Sequence, residues 1–164
     1  MPKRVLFVCL GNICRSPTAE GVARHYILQR ELAGAIEVDS AGTQGYHTGE
    51  PPDARAIAAA RRRGIDIGEL RARRVAAEDF AGFDLILAMD QDNLYHLQRL
   101  CPPEHRTKLG LFMHYSQRYE EDEVPDPYFG GDAGFERVLD MAEDAVRGLL
   151  EELAADQGFR TPRK

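Results

Sequence analysis

The sequence predicts a three-layer α/β/α protein, a parallel β-sheet covered by helices on both faces. Three observations predict it. Short apolar runs rich in β-branched and aromatic residues, at 4–9, 35–40, 83–89 and 108–113, alternate with stretches of helical spacing. The first run, from Arg4 to Cys9, is apolar without alternation, which marks a strand buried on both faces. The length of 164 residues, 43% of them hydrophobic, allows one full core without a disulfide or metal staple.

Each element has a local reason. The strand at 4–9 is broken by Gly11-Asn12. Ser16 then reads as a helix N-cap with Pro17 at the first helical position, and Ala19, Val22, Ala23, Tyr26 and Ile27 recur at helical spacing. A second strand at 35–40 closes on Ala41-Gly42 and opens a Gly/Pro-rich loop over 42–52. Asp53 caps a helix running to Arg63, with Gly64 as its stop. The third strand, 83–89, leads to Asp90, which caps a polar helix to about Leu100, ended by Cys101-Pro102-Pro103. A fourth strand follows at 108–113. Residues 114–134 make a long polar loop, and ordered loops of that length often carry function. Phe135, Val138, Leu139, Ala142, Val146, Leu149, Leu150 and Leu153 trace one face of a final helix. Residues 1–156 thus read as one domain and 157–164 as a short flexible tail.

Composition excludes several classes. The net charge of −6 argues against nucleic acid as a partner. No apolar run spans a bilayer, and the one after Met1-Pro2-Lys3-Arg4 is too short for a signal-peptide core, so no membrane partner is expected. Three cysteines form no paired framework, which suits a reducing cytoplasm. The five histidines show no metal-ligand spacing, so no zinc and no other cofactor is expected. Six arginines within 61–74 make a basic stretch, read as a solvated face or a docking patch for an acidic partner.

The central signal is Cys9-Leu10-Gly11-Asn12-Ile13-Cys14-Arg15-Ser16. Ligands of parallel sheets bind at the carboxyl ends of strands, where this loop lies. Backbone N–H groups around the loop and at the helix start make an anion nest for phosphate or another oxyanion. Gly11 and Asn12 tolerate the left-handed backbone a tight cradle needs. Arg15 can fork onto two phosphate oxygens. The same positive field favours a thiolate at Cys9, and a thiolate under a bound phosphoryl group is a nucleophile. The plainer reading makes Cys9 a small buried core residue.

The segment from Val8 to Pro17 resembles the active-site loop of the low-molecular-weight protein tyrosine phosphatases. Asp39-Ser40-Ala41-Gly42-Thr43, Gly64-Ile65, Phe83-Asp84, Met89-Asp90 and Asp126-Pro127-Tyr128 match in the family's order, over nearly the whole chain. The resemblance implies a four-stranded parallel sheet in order 2-1-3-4 and a phosphocysteine intermediate. It implies Cys9 as nucleophile, Arg15 as phosphate clamp and Asp126 as general acid. Asn12, Ser16 and Ser40 match the residues that support the loop and the thiolate. It also implies a reversible Cys9–Cys14 disulfide; the bland alternative is that Cys14 merely packs. Tyr46 lies in a loop that resembles one wall of the family's cleft, though it reads as a loop anchor almost as well.

Asp126 has its own logic. A phenolic leaving group needs a proton as its P–O bond breaks, and a water must later be deprotonated. Pro127 stiffens the approach, and Tyr128 and Phe129 could flank a substrate ring. Without the Cys loop, Asp126-Pro127 would read as a turn. These roles predict a bell-shaped pH profile with a mildly acidic optimum.

Three departures from the family stand out. Leu70 occupies the place of a family His that supports the loop. Phe129 replaces a second tyrosine. The loop before Asp126, with Glu120, Glu121, Asp122 and Glu123, is unusually acidic and would disfavour acidic phosphopeptides at low salt. Rival readings on related folds are weaker. Thioredoxin-linked arsenate reduction needs two further cysteines, and only Cys101 lies outside the loop. Protein arginine phosphatases carry Thr where Ile13 stands, and a phosphocarrier needs neither Arg15 nor Asp126. The reading is therefore a cytoplasmic phosphatase for phosphotyrosine proteins and aryl phosphates, with a weak homodimer as a further partner expectation.

Overall fold

A computed structural model of the chain describes residues 1–128 and 130–156. Strands β1 (Lys3–Cys9), β2 (Ile36–Gly42), β3 (Leu85–Ala88) and β4 (Leu109–Leu111) form one parallel sheet in the order β2-β1-β3-β4. The helices are α1 (Arg15–Gln29), α2 (Ala54–Arg61), α3 (Ala77–Gly82), α4 (Gln91–Leu100) and α5 (Asp132–Asp156). The predicted fold class and strand order are those observed.

The unbroken apolar run of β1 has a direct cause. Its residues alternate between two cores on opposite faces of the sheet. Val5, Phe7 and Cys9 enter a larger core with residues of α1, α2 and α5. Leu6 and Val8 enter a smaller core with Phe80 of α3 and Leu97 of α4. Both faces are therefore dry, and burying each large apolar side chain contributes about 1.5–3 kcal/mol.

Close packing also places small residues. Gly21 of α1 lies where any Cβ would strike Ile67, and Gly148 of α5 lies where one would strike the Tyr115 carbonyl oxygen. The N-terminal half of α1 is buried, its polar Ser16, Thr18 and Glu20 included. These three polar groups are turned toward neighbours inside the protein rather than toward water.

Several element boundaries differ from the sequence reading. Ser16 does not cap α1: the helix already begins at Arg15, and the Ser16 hydroxyl bonds Cys9 and Asn12 instead. Asp53 does cap α2, accepting from the Arg55 N–H at 2.8 Å, but the helix ends at Arg61 and turns through Gly64 at φ +80°. Asp90 caps α4 by accepting from the Asn93 N–H at 2.8 Å. The fourth strand is only three residues long because a 3₁₀ turn follows over Phe112–Tyr115, and another precedes it over Pro103–Lys108. The short α3 was not foreseen. Its start is held by the Asp79 carboxylate, which accepts from the Ala76 N–H at 2.7 Å and from Arg73. Residues 157–164, read as a tail, lie outside the described residues. No described helix is long and apolar enough to cross a membrane.

Candidate active site

The carboxyl end of β1 delivers Cys9 to the centre of a tight loop, and α1 begins six residues later at Arg15. Asn12 makes the turn possible by adopting φ +60°, a left-handed conformation that Asn tolerates better than most residues. The loop is stitched to its surroundings through the backbone. The Thr43 and Gln44 N–H groups donate to the Cys9 and Leu10 carbonyls at 2.9 and 3.0 Å, and the Asp53 N–H donates to the Ile13 carbonyl at 2.8 Å. Gly42 permits this approach, since a Cβ there would lie 2.7 Å from the Leu10 carbonyl oxygen.

Cys9 is buried, at 2% exposure, with two polar groups against its sulfur. The Asn12 N–H reaches Sγ at 3.3 Å, and Ser16 Oγ lies 3.0 Å from it. Asn12 Nδ2 donates to Ser16 Oγ at 2.8 Å and to Ser40 Oγ at 3.0 Å. The Ser16 hydroxyl has two acceptors within reach of its proton, the Cys9 sulfur at 3.0 Å and the Ala41 carbonyl at 3.4 Å. Asn12 Oδ1 in turn accepts from the Arg73 N–H at 2.9 Å. That backbone donor supports Asn12, while Leu70 packs against the larger core. The chain of bonds ends at Glu20, whose Oε1 accepts from Ser40 Oγ at 2.7 Å.

Arg15 is 3% exposed and fixed on one side. Its Nη1 donates to Asp90 Oδ2 at 2.6 Å and to the Val124 carbonyl at 3.0 Å. Its Nη2 lies 3.7 Å from Asp126 Oδ2. Burial works against its charge, but Cys9, Asp90 and Asp126 outweigh that and hold the guanidinium above the ordinary arginine range. For Cys14 the balance runs the other way. Burial, then the negative charges of Asp53 and Cys9, push its thiol up to about 12. Cys101 sits in the smaller core, on the opposite face of the sheet from Cys9, so it is no relay partner for that sulfur.

Asp126 arrives on the segment after β4. Val124, buried at 1%, donates its N–H to the Met89 carbonyl at 2.8 Å, and Glu123 Oε2 accepts from the Gln91 N–H at 2.9 Å. Gly134 lets α5 approach Pro127, where a Cβ would lie 3.3 Å from the proline's own. The acidic run is partly spent on such contacts, as Glu121 also pairs with Arg137 at 2.9 Å. The basic stretch is likewise partly spent within the chain: Arg62 and Arg63 pair with Glu136, and Arg63 with Asp140 and Glu143 of α5.

These parts enclose a cleft of about 220 Å³ lined by Cys9, Leu10, Gly11, Ile13, Cys14, Arg15, His47, Asp126 and Tyr128. Cys9, Arg15 and Asp126, far apart in sequence, meet there; Asn12, Ser16 and Ser40 stand behind the loop. Tyr128 forms part of the wall. Tyr46 is 83% exposed and outside the lining, whereas its neighbour His47 is in it, with its ring against Gly11 and Nδ1 3.0 Å from Glu50 Oε1. Phe129, also read as a wall, lies outside the described residues. The sequence reading missed Asp90 and His47 as site residues. Asp90 carried a usable signal, being an acid at the carboxyl end of a strand; His47 carried none.

Residues 4–158 match the family model described as low molecular weight phosphotyrosine protein phosphatase. The chain belongs to this family. It is 42% identical to the low molecular weight phosphotyrosine protein phosphatase of Homo sapiens, over 91% of this chain and 94% of that one. It is similar in structure to a protein tyrosine phosphatase of Entamoeba histolytica solved with Hepes in the active site: TM-score 0.92, 41% identity, 94% of this chain and 99% of that one. An arginine phosphatase of Drosophila is also similar, with TM-score 0.84, 34% identity, and 90% and 96% of the two chains covered. In the low molecular weight phosphatases the nucleophile is a cysteine, and Cys9 is present here.

Proposed function

We propose that this phosphatase hydrolyses phosphotyrosine in proteins, and aryl phosphates generally, through a phosphocysteine on Cys9. The observation that carries the reading is the shared cleft: a sulfur contacted by the Asn12 N–H and the Ser16 hydroxyl, lined also by Arg15 and Asp126. The loop N–H groups and Arg15 would hold the equatorial phosphoryl oxygens as charge develops. The Cys9 thiolate attacks phosphorus, the P–S bond forms, and the P–O bond to the phenol breaks. Asp126 gives its proton to the departing phenolate oxygen. A water then attacks phosphorus and gives a proton to Asp126, the P–S bond breaks, and phosphate leaves with the thiolate restored. Ser16 and Asn12 would hold that thiolate in both steps. No step calls on a metal or cofactor.

Ile13 gives the cleft an apolar wall, which supports an aromatic substrate over a guanidinium. Residues 1–156 would act as one phosphatase domain, in the cytoplasm, on phosphoprotein substrates, with inorganic phosphate as a competing oxyanion. A weak homodimer is a further expectation of the sequence.

The test is hydrolysis of one peptide phosphorylated on Tyr, Ser or Arg, with EDTA present and Cys9→Ser as control. Turnover of the phosphotyrosine form that is lost in the variant is expected. Preference for phosphoarginine would move the substrate assignment to the arginine phosphatases. No turnover, with a stable phosphate on Cys9, would make the protein a phosphocarrier and strip Asp126 of its role.

A further inference from the structure

One side chain outside the cleft lining joins the two halves of the site. Arg55, on the first turn of α2, holds its own helix cap through Nε to Asp53 Oδ1 at 3.1 Å and Nη2 to Asp53 Oδ2 at 3.0 Å. Asp53 is tied to the phosphate loop, since its N–H donates to the Ile13 carbonyl at 2.8 Å. On its other side Arg55 reaches the acid segment. Nη2 donates to the Tyr128 carbonyl at 3.0 Å and Nη1 to the Gly130 carbonyl at 3.4 Å. The guanidinium also lies over the rings of Tyr128 and Phe135, at 5.6 and 4.7 Å from their centroids. Tyr128 is the residue that orients the acid: its N–H donates to Asp126 Oδ1 at 3.0 Å.

The links run in series. The phosphate loop holds Asp53, Asp53 holds Arg55, Arg55 holds the Tyr128 carbonyl, and across the Tyr128 Cα the N–H of the same residue holds the Asp126 carboxyl. The residues that Arg55 ties are at the surface, since Asp126 and Tyr128 are themselves exposed. A flat guanidinium suits the task. It offers parallel donors to a carboxylate on one edge while further donors reach carbonyls on another, and its face stacks on aromatic rings. A lysine has one compact charge and cannot make that fork.

We infer that Arg55 is a positioning residue that sets the distance between the phosphate loop and the Asp126 carboxyl, so that the proton reaches the leaving oxygen. The inference rests on the reading of Asp126 as the general acid. Arg55 is not among the residues that line the cleft, so its effect on the acid is read through the leaving-group dependence of the rate.

That difference is measurable. A leaving group of high basicity, such as phenol, depends on protonation far more than p-nitrophenol does. The quantity to read is kcat/KM for phenyl phosphate divided by that for p-nitrophenyl phosphate, in the wild type and in Arg55→Met, Arg55→Lys, Asp126→Asn and the Arg55→Met/Asp126→Asn double variant. The ratio is taken on one preparation, so partial unfolding cancels. General acids contribute roughly 10²–10⁴-fold, and a misplaced one loses part of this, so the ratio should fall about tenfold in Arg55→Met. Arg55→Lys should recover little of it, and Arg55→Met should change nothing further once Asp126 is Asn. An unchanged ratio in Arg55→Met, with the expected fall in Asp126→Asn, would overturn the positioning role and leave the acid assignment standing. An unchanged ratio in Asp126→Asn would remove the acid assignment and this inference with it.

Discussion

Arg15 and Asp90 form the closest ion pair of the site, with Nη1 to Oδ2 at 2.6 Å and the guanidinium almost fully buried. Asp90 works with both oxygens: Oδ2 aims the arginine, and Oδ1 accepts from the Asn93 N–H to cap α4. One carboxylate thus couples the start of α4 to the guanidinium at the end of the Cys9–Arg15 loop.

Asp90→Asn should separate these jobs. The amide oxygen keeps the cap, so the helix persists, but the charge that fixes Arg15 is gone. A misaligned clamp should lower kcat/KM for an aryl phosphate by about 10²-fold. Steady-state kinetics beside thermal melting would check this; an unchanged rate would show that the pairing with Asp90 does not orient Arg15.

Asn12 combines a left-handed backbone with hydrogen bonds to Ser16, Ser40 and Arg73. Asn12→Gly and Asn12→Ala both lose the bonds, but only Ala meets the steric cost of φ +60°, about 1–2 kcal/mol. The Gly variant should be the more stable by about 1 kcal/mol in urea unfolding, while both lose activity alike. Equal stabilities would show that the loop relaxes away from that conformation.

Cys14 and Cys9 should react very differently. With its thiol pushed up to about 12 by burial and neighbouring negative charge, Cys14 is thiolate in only about one molecule in 10⁵ at pH 7. Iodoacetate near pH 7 should label Cys9, more slowly in the presence of phosphate, and leave Cys14 unlabelled until the protein unfolds. Peptide mass spectrometry reads the sites, and labelling of Cys14 at the rate of Cys9 would contradict its burial. Closure of a Cys9–Cys14 disulfide after peroxide treatment should correspondingly speed up as pH rises.

Glu20 gives the fold a pH dependence. Burial raises its carboxyl above the ordinary glutamate range, against the opposing hydrogen bonds from Ser40 and Arg24. The folded state then binds a proton more tightly than the unfolded chain does. The stabilisation is complete below about pH 4.3 and is lost as pH rises through the folded value. Glu20→Gln removes this term, so the variant should become more stable relative to the wild type, its unfolding free energy rising against the wild type's, from pH 4 to pH 8. Denaturant titrations at the two pH values measure it; a constant difference would mean that burial does not raise the Glu20 carboxyl.

Much of this was legible because it is local. A strand between two cores must be apolar at every position, so β1 could be read directly from residues 4–9. Asp53 and Asp90 announced α2 and α4 because a cap needs only a side-chain oxygen and an N–H two or three residues on. Cys9 and Arg15 were visible because a phosphate cradle between strand and helix has a fixed length. The same local logic failed at Ser16. Ser-Pro looks like a cap, but the hydroxyl is better satisfied by Cys9 and Asn12 inside the loop. It failed again at α3, whose six residues hold as a helix with Asp79 gripped by Arg73.

The sequence by itself determined the layered α/β fold, the phosphate loop and its cysteine, since each rests on spacing and backbone preference within a few residues. Tertiary structure decided which distant groups serve that loop. Parallel strands must be joined by crossovers, so residues remote in sequence meet only at the carboxyl edge of the finished sheet. There β2 brings Ser40 to Asn12, and the segment between α2 and α3 brings Arg73. Asp90 arrives with β3, and Asp126 settles beside Arg15. That His47 rather than Tyr46 faces the cleft, and that Arg55 ties the phosphate loop to the acid segment, are matters of packing angle that no local spacing encodes.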